Sequence, residues 1–161
     1  MAHRLILQDF ASAHHDHNCC VVGAMARAEQ VCRARGERFT PLRREVLALV
    51  WSSHKPVKAY ELLSTLSQTR GKMAPPSVYR VLDFLQNAGL VHRLESINCY
   101  IGCGDPTREH QGQFLICECC GSVAEFADMG VMNRFETTAS RVGFKMNVST
   151  IEIFGLCQNC Q

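Results

Sequence analysis

Two Cys-x-x-Cys pairs, Cys117/Cys120 and Cys157/Cys160, stand 36 residues apart in the last third of the chain. No other feature limits the fold as tightly. Two intervening residues let a tight knuckle aim both thiolates at one point, and two knuckles supply the four sulfurs of a tetrahedral structural zinc. Gly121, directly after the first pair, eases the backbone as it turns away. The competing readings are two disulfides, a thioredoxin-like redox pair, or four unrelated buried thiols. A redox pair normally precedes a helix N-terminus, which lowers the thiol pKa. Here the first pair follows Phe114-Leu115-Ile116 and leads into Ser122-Val123-Ala124-Glu125-Phe126, which alternates like a strand. That context favours zinc, and losing it is expected to unfold at least the C-terminal half.

A chain of 161 residues with 47% hydrophobic content has room for one large domain or two small ones. Its apolar runs are far too short to span a bilayer. Met1 to Phe10 holds a brief apolar patch, Leu5-Ile6-Leu7, without a sustained apolar core or a cleavage signal, so the expected location is the cytoplasm, with no membrane partner. Ten cysteines in a cytosolic chain point to metal ligands before disulfides. The net charge of +2 is unevenly spread: residues 1–90 carry 12 Lys/Arg against 7 Asp/Glu, and residues 91–161 carry 5 against 8. A basic front half favours a polyanion partner.

Residues 1–22 contain His14, His15, His17, Cys19 and Cys20 and read as a flexible tail, with an accessory metal site as the alternative. From Gly23, Met25, Ala28, Val31 and Cys32 recur at helical spacing, with Gly36 as a stop. Thr40-Pro41 reads as N-cap and first residue of a second helix with Leu42, Val46, Leu49 and Val50 buried; Trp51 lies on that helix and reads as core, with a ligand platform as the alternative. A third helix is expected from near Val57, burying Leu62, Leu63 and Leu66. Pro75-Pro76-Ser77 opens the best-marked helix, which runs to Asn87-Ala88 and stops at Gly89. Val78, Val81, Leu82 and Leu85 form its apolar stripe, and Ser77, Arg80, Asp83 and Asn87 share the opposite face. Leu90 to Glu95 and Cys99 to Gly102 read as strands joined at Ser96-Ile97-Asn98. Helices followed by a hairpin make a winged helix-turn-helix over 23–102. Its second helix offers an N-terminal polar face to the major groove, with Arg80 able to bond guanine in a bidentate way and Ser77 and Tyr79 reaching bases or phosphates. Lys58 and Tyr60 hold the DNA backbone. An exposed amphipathic helix with an ordinary polar face is the rival reading; the wing and the basic front half favour DNA.

The run Pro75-Pro76-Ser77-Val78-Tyr79-Arg80-Val81-Leu82-Asp83-Phe84-Leu85, then Gly89-Leu90-Val91-His92, resembles the recognition helix of the ferric uptake regulator family, and the Cys-x-x-Cys pairs are similar to that family's structural zinc site. The likeness runs from about Met25 to Cys160. His92 to Cys103 looks most like the zinc uptake regulator branch; the iron branch typically has a His-rich stretch before the first Cys pair, where this chain has His110. The resemblance implies a homodimer, each protomer carrying a winged helix and a C-terminal α/β dimerisation domain. A second, regulatory zinc would then lock the dimer onto a palindromic double-stranded operator and repress zinc-import genes, giving two zinc ions per protomer.

The matching regulatory positions are His92, Cys103, His110 and Glu125, on either side of a hinge at about 92–110. One Cys, two His and one Glu form a mixed donor set that zinc accepts tetrahedrally. Ligands on both sides of a hinge tie affinity to domain arrangement, as a sensor requires. Taken singly, each is as well read as an ordinary surface or buried side chain. Cys119 inside the first knuckle and Cys99 before Cys103 depart from the pattern, and Cys19, Cys20 and Cys32 have no assigned role.

In the rear domain, 103–161, strands are expected at Phe114-Leu115-Ile116, Ser122 to Phe126 and Asn147 to Phe154. Met129 to Val142 is expected to be a helix with a stripe through Met132, Phe135 and Ala139, ending at Gly143. A small sheet with one helix leaves edges and apolar surface for a second copy to cover, although a thick monomer core is the alternative. The expected class is therefore α+β, and the expected activity is zinc-responsive transcriptional regulation without catalysis or a small-molecule substrate. Its rivals are an iron- or peroxide-sensing relative, a thiol oxidoreductase using Cys117/Cys120, and a zinc storage or delivery protein.

Overall fold

The computed structural model describes residues 5–10, 17–108, 110–147 and 150–161. The chain divides into two compact units, a front unit of Ala11–Glu109 and a rear unit of Met1–Phe10 with His110–Gln161. Among the described residues no helix is long and apolar enough to cross a membrane.

The front unit is built on four helices, α1 (His17–Ala34), α2 (Pro41–Val50), α3 (Ala59–Arg70) and α4 (Pro75–Asn87). Helix α1 begins six residues before the expected start at Gly23, inside the stretch expected as tail. The reason is its stripe: Cys20 and Val21 pack on the core ahead of Ala24, Ala28 and Cys32, so the helical period of buried positions extends toward the N-terminus. His14 and His15 lie outside the described residues. Thr40 caps α2, its side chain accepting from the Arg43 N–H at 3.4 Å. Helix α3 starts at Ala59 rather than Val57, because Val57 is spent on a bridge: it exchanges both backbone hydrogen bonds with Tyr100, at 2.9 and 2.8 Å. Val46, Leu47, Leu62, Leu66, Leu82 and Leu85 meet in the core. The wing is an antiparallel pair, β2 (Val91–Leu94) with β3 (Cys99–Gly102), turning through Asn98. Trp51 seals its base. A Cβ on Gly102 would lie 2.2 Å from the indole, so only glycine lets the two approach.

The rear unit holds a four-stranded sheet ordered β1-β5-β4-β6, from β1 (Leu5–Gln8), β4 (Gln113–Cys117), β5 (Val123–Ala127) and β6 (Ile151–Gly155). Of the expected strand Asn147–Phe154, Val148 and Ser149 lie outside the described residues. Strand β1 was expected as tail; Leu5–Gln8 instead pairs antiparallel with β5, which satisfies the backbone groups along that edge. Helix α5 (Met129–Arg141) links β5 to β6 and is capped by Asp128, whose carboxylate accepts from the Gly130 and Val131 N–H groups. Buried Gln113 anchors that cap: its amide donates to the Asp128 carbonyl and accepts from the Asp128 N–H. Met132 is buried as expected, but Phe135 is 52% exposed. Together with Ile153, Phe154 and Leu156 it leaves apolar surface on the rear unit.

Candidate metal centres and nucleic-acid interface

Sheet topology explains why two knuckles far apart in sequence meet. Strands β4 and β6 run parallel and in register, with Cys117 opposite Gly155. Their C-terminal ends therefore share one end of the sheet. The first knuckle is the turn of the β4–β5 hairpin, and the second follows directly on β6. Each knuckle is closed by a backbone hydrogen bond, Gly121 N–H to the Cys117 carbonyl and Cys160 N–H to the Cys157 carbonyl, both 2.9 Å. Gly121 carries φ 72°, the left-handed turn expected of it.

The ligand atoms of Cys117, Cys120, Cys157 and Cys160 all lie within 4.8 Å of one another. A tetrahedral zinc with sulfur bonds of about 2.3 Å requires sulfur–sulfur edges of about 3.8 Å, and Cys120 Sγ to Cys157 Sγ is 3.8 Å. Backbone N–H groups of Cys120 and Cys157 pull the Cys117 thiol down to about 6, the Cys157 N–H standing 3.4 Å from the sulfur. Hydrogen bonding to the Ser122 hydroxyl, 3.3 Å away, pulls Cys120 down. Burial raises Cys157, and the proton shared with Cys157 raises Cys160. Four thiols this close resist full ionisation by themselves, and a divalent cation removes the conflict. The donor set fits zinc. Ser122 is a supporting residue that the spacing argument passed over; its position two residues after Cys120, at the hairpin turn, was the available signal.

The regulatory candidates fall two on each unit. In the rear unit His110 Nε2 stands 2.7 Å from Glu125 Oε1, with the side chains 9% and 1% exposed. Glu125 lies on β5, which has neighbours on both sides. In the front unit His92 lies on β2 opposite Ile101. Cys103 follows β3, buried, with its N–H donating to the Leu90 carbonyl at 3.0 Å.

Helix α4 buries Val78, Val81, Leu82 and Leu85 and leaves Tyr79 and Arg80 exposed, with Ser77 half-buried in its first turn. At the start of α3, Lys58 and Tyr60 are also exposed, the ammonium 5.8 Å from the ring. The five expected DNA contacts thus sit at the N-terminal ends of two consecutive helices, where backbone dipoles favour phosphate. Of the remaining cysteines, Cys119 is exposed, while Cys99 is buried on the wing with its thiol 3.3 Å from the Ile97 carbonyl.

A zinc uptake regulation protein of Escherichia coli (strain K12) is 40% identical over 139 residues, spanning 84% of this chain and 80% of that protein. A solved zinc uptake regulator complexed with zinc and DNA superposes with a TM-score of 0.82 at 38% identity, covering 86% of this chain and 93% of that one. The crystal structure of holo XcZur gives 0.77 at 43% identity, covering 88% and 96%. The model of the ferric uptake regulator family matches residues 34–154, three-quarters of the chain and both of its units, and the chain belongs to that family.

Proposed function

We propose that this protein is a zinc-responsive transcriptional regulator whose zinc-loaded homodimer binds palindromic operator DNA and represses zinc-uptake genes. Cys117, Cys120, Cys157 and Cys160 hold a structural zinc that closes the end of the rear sheet. His92, Cys103, His110 and Glu125 hold a second, regulatory zinc, making two per protomer. Arg80, Ser77 and Tyr79 meet the operator in the major groove while Lys58 and Tyr60 hold its backbone. The protein works in the cytoplasm as a switch and not as an enzyme.

The observation that carries zinc over iron or peroxide is Cys103, a buried thiol at the end of the wing. One sulfur joined to two imidazoles and one carboxylate makes the mixed four-donor set that zinc takes tetrahedrally, whereas an iron- or peroxide-sensing relative is expected to use a set richer in His and Asp, without that sulfur. The part-buried His110–Glu125 pair supports the same reading, because it already holds two candidate ligand atoms side by side, where one ion could displace the hydrogen bond and take both. Ligands from two units give the ion a differential affinity for one arrangement, which is the thermodynamic requirement for a switch. Exposed apolar residues Phe135, Ile153, Phe154 and Leu156 supply the surface for an isologous dimer.

Counting bound metal tests the reading. The native protein is expected to carry two zinc ions per protomer and the Cys103→Ser variant one, with the first site intact. One zinc in both proteins contradicts the regulatory assignment.

A further inference from the structure

Strand β1 belongs to the rear sheet although it precedes the whole front unit in sequence. Its pairing with β5 is irregular. Leu5 faces Ala127 and Ile6 faces Phe126, but the next pair is Gln8 with Glu125, so β1 takes two steps where β5 takes one. A regular ladder would set Leu7 opposite Glu125. The bulge sets a polar amide there instead, against a carboxylate that is 1% exposed. Bulges recur where a strand must re-aim a side chain, and directly opposed residues on an antiparallel pair interact across the ladder. Two residues further on, Phe10 lines a hollow with Ile116, Cys117, Phe154 and Cys157, which places the chain after β1 beside the four-cysteine end of the sheet. Without β1, β5 would be an edge strand, its outer backbone groups open to water and its register free to fray.

We infer that β1, through Gln8, is a positioning element for the Glu125 carboxylate, and that the N-terminal segment thereby sets the affinity of the regulatory metal site. The inference rests on Glu125 being a ligand of that site. Groups that orient a metal ligand typically change affinity by about 10–100-fold when removed.

The test compares the full chain, Gln8→Leu and a chain lacking residues 1–10. Affinity for each zinc is read by chelator competition, and amide hydrogen exchange across Val123–Ala127 is read with only the first zinc bound. Gln8→Leu is expected to weaken the second zinc about tenfold and leave the first unchanged. The truncated chain should weaken it further and exchange faster along β5. A peptide of residues 1–10 should restore binding, and the same peptide carrying Gln8→Leu should not. If the truncated chain fails to fold, Gln8→Leu decides alone. Unchanged second-site affinity in Gln8→Leu overturns the inference while leaving the regulatory site standing. A full chain that takes up one zinc overturns the site itself, and the inference with it.

Discussion

Removing the structural zinc should unfold the rear unit and spare the front one. The front unit has its own core, from Val46 and Leu47 through Leu82 and Leu85 to the wing. Among the described residues of the rear unit the buried apolar side chains besides Cys117 and Cys157 are Phe114, Ile116, Val123, Ala124 and Met132. Burying that many residues contributes on the order of 10 kcal/mol. A closed four-thiolate zinc contributes about 10–16 kcal/mol, as much as the apolar burial, while net domain stability is only about 5–15 kcal/mol. On those magnitudes the unit is expected to unfold when such an ion is removed. The geometry adds to this, because an ion held by Cys117, Cys120, Cys157 and Cys160 would tie β6 to the β4–β5 hairpin at one end of the sheet. Hydrogen exchange after exhaustive chelation, or on Cys157→Ser, reads the two units separately. Amides of β4, β5 and β6 should exchange near the unfolded rate, while α2, α3 and α4 keep their protection. Retained protection across β4–β6 in protein from which zinc is demonstrably gone would refute the reasoning.

Other consequences follow from single contacts. Arg80→Ala should cost about 1–3 kcal/mol of operator binding and little of non-specific binding, measured by titration against matched and scrambled duplexes; equal losses on both would reduce Arg80 to a phosphate contact. Gly102→Ala drives a methyl into the Trp51 indole and should destabilise the front unit by at least about 1–3 kcal/mol in denaturant titration, with an unchanged midpoint counting against the packing account. Ile153→Asp on the exposed apolar surface should shift the protein from dimer to monomer in sedimentation velocity and weaken operator binding in parallel.

What could be read from the sequence was local. The two knuckles announce themselves by spacing, α4 by its double proline and apolar stripe, and the wing by two short runs around Asn98. The knuckles, the helix and the wing are each by themselves a pattern complete within about a dozen residues. The failures were non-local or masked by residue type. Leu5–Gln8 is too short to stand as a strand by itself and becomes one only through β5, more than a hundred residues later. Helix α1 starts early because Cys20 and Val21 pack, partly buried, against the core, inside a stretch whose His and Cys residues read as a tail. Val57 followed helical spacing but was taken by a bridge to Tyr100. Phe135 sat on a plausible buried stripe and is exposed, since a single helix on a small sheet buries only a narrow stripe, here Met132. At the candidate metal sites the four knuckle cysteines were legible from spacing and Cys103 only through the resemblance, whereas the hydrogen bond between His110 and Glu125 depends on the register of β4 and β5 and could not be read from the chain alone.

The most direct test of the regulatory account is operator affinity measured against buffered free zinc, with bound zinc counted in the same samples. The account predicts that binding to a palindromic duplex rises steeply as the protein passes from one zinc per protomer to two. Full binding with only the first zinc present, or none at either stoichiometry, would contradict it.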